Sequence, residues 1–213
     1  MLSIQSFVFN PIQENTYLVA DTQTKEALVI DAGCLFPEEQ QELAQMIQKQ
    51  ELSLRYVLNT HLHLDHCFGN AFLKREFGIS PWAHEGDENT LNMIQAYAQS
   101  FGIPFHDVPE PIGKYLHEGD EITLGAYTFQ VLEVPGHSKG GLAFYCASEK
   151  VVFTGDSLFH YSIGRTDLPG GDYSTLITSV LNKLMTLPGD TKVYCGHGPS
   201  TTISEEQTYN PYL

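Results

Sequence analysis

The chain has 213 residues, 42% of them apolar, and a net charge of −15 from 11 Lys and Arg against 26 Asp and Glu. This composition excludes intrinsic disorder, and a chain of this length buries a sizeable core without disulfides or a structural metal. The basic residues are scattered, with only Lys74 and Arg75 adjacent, which argues against nucleic acid and anionic membrane surfaces as partners.

No apolar run approaches the ~18 residues of a membrane-spanning helix. The first residues, Met1 to Ser6, lack the basic and apolar regions of a signal peptide. Cys34, Cys67, Cys146 and Cys195 form no CxxC pair and read as reduced thiols of a cytoplasmic protein.

In chain order, residues 3–9 and 16–20 read as strands around the Asn10-Pro11 turn. Residues 27–30 form a short strand ending at Asp31-Ala32-Gly33. Pro37 suits a first helical turn, and Leu43, Met46 and Ile47 give that helix one apolar face. A strand over 52–58 runs into a histidine-rich segment. Residues 71–77 read as a helix stopped by Gly78, 79–83 as a strand weakened by Pro81, and 88–101 as a helix stopped by Gly102. Residues 103–114 read as a loop. Strands follow at 121–124, 128–134, 142–146 and 151–154. A helix over 173–187 carries Leu176, Ile177, Val180, Leu181 and Leu184 on one side, and a last strand occupies 192–194. The order is strands then helix, twice, which predicts an α/β (α+β) chain forming one domain over 1–213, with two sheets and helices outside.

The strongest chemical signal is Thr60-His61-Leu62-His63-Leu64-Asp65-His66. In an extended chain, residues i and i+2 point the same way, so His61, His63 and Asp65 face one side and His66 follows from the next turn. Three imidazoles and a carboxylate within six residues form an N/O donor set suited to zinc, iron or manganese. Neighbours Asp65 and His66 would strain to reach the same ion as His61 and His63, so two metals fit better. Further donors follow apolar strands beside glycines: His137 after Pro135-Gly136, Asp156 after Gly155, and His197 between Gly196 and Gly198. Five of the nine histidines thus fall in three motif segments. A carboxylate such as Asp156 has two oxygens with which to bridge two cations. His84, His106 and His117 read as surface residues, and His160 as a candidate for the site rim.

These segments, with Asp31-Ala32-Gly33, Gly155 to Phe159, Gly164-Arg165-Thr166-Asp167 and Gly196 to Pro199 followed by Thr201-Thr202, resemble the metallo-beta-lactamase-fold hydrolases. Within them the chain is similar to short bacterial proteins of the glyoxalase II (hydroxyacylglutathione hydrolase) type. The resemblance implies an αββα sandwich of two mixed sheets flanked by helices, with two divalent metal ions, zinc first and iron or manganese as alternatives, at one edge. It implies His61, His63, His137 and Asp156 on one metal, and Asp65, His66, Asp156 and His197 on the other, with Asp31 supporting from behind. Position 63 is His where the oxygen-reducing diiron branch has Glu. Position 156 is Asp where the main antibiotic-hydrolysing branch has Cys.

The implied reaction is hydrolysis of a small thioester such as S-lactoylglutathione by a hydroxide held between the metals, with Asp65 and Asp156 as catalytic carboxylates. A persulfide dioxygenase with one iron and a lactonase are the alternatives. Lys139 and Arg165, the basic residues inside the motif segments, are the expected substrate contacts.

Overall fold

In the computed structural model, which describes all 213 residues, the first half builds a six-stranded sheet. Its strands lie in sequence order: β1 (Leu2–Phe9), β2 (Glu14–Asp21), β3 (Glu26–Ile30), β4 (Ser53–Leu58), β5 (Pro81–Ala83) and β6 (Lys114–Tyr115). β1, β2 and β3 pair antiparallel, and β3 through β6 run parallel. Parallel neighbours need a crossover. α1 (Pro37–Lys49) supplies the one between β3 and β4, with Leu43, Ala44 and Ile47 turned inward. Pro81 opens β5, a strand position that tolerates the missing N–H, so this strand starts two residues later than the expected 79.

The second half builds the other sheet from β7 (Glu121–Leu124), β8 (Tyr127–Glu133), β9 (Leu142–Cys146), β10 (Val151–Gly155), β13 (Lys192–Cys195) and β14 (Thr201–Thr202). All its pairs are antiparallel except β10 with β13. β11 (Leu158–Phe159) and β12 (Ser162–Ile163) form a separate small hairpin.

The two sheets meet face to face through Val19, Leu28, Leu58, Phe129, Phe144 and Phe153. α1 and α3 (Asn70–Phe77) cover the outer face of the first sheet through Leu43, Ile47 and Leu73. α5 (Tyr173–Ser179), the turn that continues it to Leu184, and α6 (Ile203–Tyr209) cover the second through Leu176, Val180, Leu184 and Ile203. This is the αββα arrangement of two mixed sheets. α2 (Leu64–Cys67) and α4 (Glu88–Ser100) pack on each other at one rim through Leu64, Leu91 and Ile94. No helix is long and apolar enough to cross a membrane, and all four cysteines are buried and free.

Two local differences from the sequence reading have physical causes. The helix expected over 173–187 is α-helical only to Ser179 and continues as a π-helical turn at Val180–Leu184, closed by Met185 N–H on the Val180 carbonyl at 2.9 Å. The wider turn keeps Leu176, Val180 and Leu184 on the sheet and rotates Leu181 out to 43% exposure. No apolar spacing marks α6, because polar groups pin it. Glu206 is fully buried and accepts from Thr201 Oγ1 at 2.6 Å, Tyr161 N at 2.9 Å and Asn210 Nδ2 at 2.8 Å.

Phe153 anchors the packing between the sheets. Its ring stacks on Tyr194 at 5.0 Å and meets the Tyr17 ring edge-on at 5.2 Å. Phe153→Ala is expected to cost about 3–5 kcal/mol of stability, measured by urea unfolding.

Candidate metal centre

Parallel strands end on the same side. The turns after β3, β4 and β5 therefore lie together, and they deliver Asp31, the segment 59–66, and Asp87. From the second sheet, the ends of β8, β10 and β13 deliver His137, Asp156 and His197. The sheets are stitched at this edge: Asn15 N–H donates to the Gly196 carbonyl at 2.7 Å, and Tyr17 Oη to the Cys195 carbonyl at 2.6 Å. The extended run expected through Asp65 ends at His63, whose φ of −66° and ψ of 151° are still extended. α2 begins at Leu64, so Asp65 and His66 leave from a helical turn, with the His66 ring 4.1 Å from that of His61. Asn10 Nδ2 clamps that turn by donating to the carbonyls of Gly33 and Asp65, each at 3.0 Å.

All seven predicted donors converge. His61, His63 and His137 form one group, and Asp65, His66 and His197 another. Asp156 stands between them, with Oδ2 3.6 Å from His137 Nε2 and 3.5 Å from His197 Nε2, and Oδ1 3.3 Å from His66 Nε2. His197 Nε2 is also 3.2 Å from Asp65 Oδ2. Two donors at about 2.0–2.1 Å from a tetrahedral zinc are about 3.3–3.4 Å apart, close to these separations.

The tautomers follow from hydrogen-bond partners, of which the sequence reading named Asp31 but not Thr60 or the carbonyls of Arg165 and Gln13. His137 Nδ1–H donates to the Arg165 carbonyl at 2.8 Å, and His197 Nδ1–H to the Gln13 carbonyl at 3.1 Å. His66 Nδ1–H donates to Asp31 Oδ2 at 3.0 Å. Thr60 Oγ1 donates to the same oxygen at 2.6 Å and accepts from His61 Nδ1–H at 3.1 Å. A proton fixed on Nδ1 leaves the Nε2 lone pair free for a cation. His63 is the exception, with Nδ1 turned inward 2.8 Å from His137 Nε2. Asp31 also accepts from Thr60 N at 2.7 Å, and it does so at a φ of +53°, a strained value for a non-glycine residue.

The electrostatics sort the imidazoles. Burial pushes His61 well below the usual histidine range. Burial, then the neighbouring His137, lowers His63 to about 4. Burial also disfavours charge on His66, but Asp156, Asp65 and Asp31 outweigh it and raise that imidazole. Burial opposes ionisation of Asp65 and Asp156, yet the His66 imidazole beside them leads the groups that hold both carboxyls low. Behind them Glu14 is fully buried, and its burial lifts its carboxyl well above the ordinary range.

These residues fit a divalent pair. His61 Nε2, His66 Nε2 and Asp156 Oδ1 are buried without a hydrogen-bond partner, an arrangement that costs free energy unless something else coordinates them. Gly196 keeps the cradle open, because a Cβ there would lie 2.2 Å from Asp156 Oδ1 and 2.8 Å from His66 Cε1.

The two predicted substrate contacts lie further out. Arg165 lines the cavity above the centre, while Lys139 is outside that lining. His160 stacks on Tyr161, also outside it. A separate surface group joins His84, His117 and Glu133. Its His84 Nδ1 accepts from Gly86 N at 2.9 Å, which spends that ring's lone pair and leaves its proton on Nε2.

A two-sheet sandwich with unpartnered imidazole nitrogens and shared carboxylates at one rim defines a class of metal-dependent hydrolases. The chain belongs to the metallo-beta-lactamase superfamily, whose sequence profile matches residues 9–197. It is 38% identical over 213 residues to "Hydroxyacylglutathione hydrolase GloC" of Haemophilus influenzae, covering 100% of this chain and 98% of that one. The solved structure of the BLEG-1 B3 metallo-beta-lactamase is 34% identical, with 99% of both chains covered and a TM-score of 0.89. That of TTHA1623 in a di-iron-bound form is 36% identical, covering 98% and 100%, with a TM-score of 0.87.

The sequence also gave no sign of the junction at Asp87. This buried carboxylate accepts from Leu62 N at 3.1 Å and Ser138 Oγ at 2.9 Å on Oδ2, and from Gly140 N at 2.8 Å on Oδ1. It ties the segment bearing His61 and His63 to the one bearing His137. An amide there points N–H against N–H. Asp87→Asn is expected to weaken divalent-cation binding about 10–100-fold, read by competition with a chromophoric chelator. Unchanged affinity would make the junction purely structural.

Proposed function

We propose that this chain, working as one domain over 1–213, is a metal-dependent thioester hydrolase with S-lactoylglutathione as its reference substrate. The observation that carries the metal dependence is the set of buried, unpartnered donors His61 Nε2, His66 Nε2 and Asp156 Oδ1. The name of the Haemophilus influenzae relative supports the thioester. In this reading His61, His63 and His137 hold one cation, Asp65, His66 and His197 hold the other, and Asp156 serves both. Zinc is the proposed cation. The same donor types suit iron and manganese, and the di-iron form of TTHA1623 makes iron a named outcome of metal analysis. Buried, free cysteines suit a reducing compartment such as the cytoplasm.

When bound, the cations supply a Lewis acid and a water acidified towards neutrality. The chain's own part is to hold geometry and charge. Asp65 and Asp156 line the cavity floor with His63, His137 and His197, where their carboxylates orient the attacking water. Water adds to the carbonyl carbon, the C–S bond breaks, and the proton released by water ends on the departing sulfur. A thiol with a pKa near ~8.5 leaves with little acid help, which suits a floor that offers no lysine.

Asp156→Ala is expected to abolish hydrolysis of S-lactoylglutathione while circular dichroism stays that of the folded chain. Chelation should do the same reversibly, with activity returning on zinc addition. Full turnover by the metal-stripped protein would overturn the proposal.

A further inference from the structure

The floor of the catalytic cavity is polar, and most of the rest of its lining is apolar. The cavity holds about 430 Å³, within the roughly 300–1,000 Å³ typical of small-molecule sites. Tyr97 of α4, Phe101 directly after its last residue, Phe159 of β11, Ile12 of the β1–β2 turn, Leu168 and Pro169 belong to its lining.

Positive charge is scarce around it. Arg165 is the one basic residue of the lining apart from the floor histidines. Its guanidinium is already committed to Asp167, with Nε on Oδ1 and an Nη on Oδ2, both at 2.7 Å, and this pairing brings the Asp167 carboxyl down to about 2. Lys139 lies along the outside of the rim, where its Cγ would be 3.4 Å from a Cβ at Gly170. Apart from the metal-holding floor, a substrate recognised by its carboxylates would find in the walls one guanidinium that already has a carboxylate partner. A group recognised by apolar contact would find aromatic and aliphatic faces beside the reacting centre.

We propose that the cavity selects thioesters by an uncharged aryl or alkyl group seated against Tyr97, Phe101, Phe159, Leu168 and Ile12, and not by the charges of the thiol carrier. This rests on the thioester-hydrolase reading and narrows its substrate class. Tyr97 and Phe101 are then specificity-determining residues. Because Phe101 is 65% exposed at the end of its helix, it can be truncated without opening the core.

The test compares three substrates on the zinc-loaded full chain: S-lactoylglutathione, S-phenylacetylglutathione and the phenylacetyl thioester of uncharged N-acetylcysteamine. Phenylacetyl in place of lactoyl is expected to raise kcat/KM by about 10-fold or more, the scale on which apolar pockets discriminate. Exchanging glutathione for N-acetylcysteamine should change it little. Phe101→Ala and Tyr97→Ala should each shrink the phenylacetyl-to-lactoyl ratio. Preference for lactoyl, or a loss above about 10-fold on the neutral carrier, would overturn the proposal.

If no thioester is cleaved, the thioester reading fails on its own. The cavity is then judged by saturation-transfer NMR of 2-phenylacetamide against lactamide. Selective phenylacetamide binding that is lost in Phe101→Ala supports the apolar site, and equal or absent binding refutes it.

Discussion

Everything at the catalytic rim depends on holding five imidazoles and two carboxylates in a space from which water is largely excluded. Such crowding is unfavourable for proteins that leave polar atoms unpaired. Here neighbouring rings of the five sit 4.1–5.3 Å apart. The chain meets this constraint by giving four of the rings an anchor on Nδ1: the carbonyls of Arg165 and Gln13, the Asp31 carboxylate, and the Thr60 hydroxyl. Each anchor fixes a tautomer and a ring plane together. Asp31 does this for two rings at once, directly for His66 and through Thr60 for His61. That explains why the chain tolerates a left-handed backbone at this aspartate, where the φ is +53°. The strain is local, whereas the hydrogen bonds it permits span both halves of the donor cluster.

The architecture was legible because its strands carry their burial in composition. Residues 142–146 and 151–155 are buried at every position, and such runs read as interior strands without help from periodicity. The donor residues were legible for a different reason. His61 to His66 are close in sequence, and His137, Asp156 and His197 each follow a strand and adjoin a glycine.

What escaped the reading is long-range and polar. Asp87 bonds Ser138 and Gly140 across more than fifty positions, and Gln13 reaches His197 across 184. Nothing local marks either as a partner. α6 escaped likewise, since its inward face includes a buried glutamate held by hydroxyl, amide and backbone donors. The π-helical turn after α5 shows the limit of 3.6-residue periodicity. The spacing of Leu176, Val180 and Leu184 was visible, but the extra residue that turns Leu181 outward was not.

The floor and the walls of the cavity rest on different parts of the fold, and this separates chemistry from selectivity. The floor residues leave the ends of β4, β8, β10 and β13, which the ladders and the stitching at Asn15 and Tyr17 hold in place. The walls come from the β1–β2 turn, the helix α4 inserted between β5 and β6, and the loop around Leu168, whose side chains facing the cavity make apolar contacts while the turn and loop backbones anchor floor residues through Gln13 and Arg165. Replacing a wall side chain disturbs few backbone hydrogen bonds, whereas moving a floor residue disturbs a strand end. Sites built on loops over a rigid scaffold diverge in specificity while the scaffold persists. The similar proteins bear this out in their names, since a hydroxyacylglutathione hydrolase and a B3 metallo-beta-lactamase both align with almost the whole chain at 38% and 34% identity. With one scaffold serving differently named activities, the substrate has to be read from the walls. In this chain those walls are aromatic and aliphatic, and their one guanidinium is already paired.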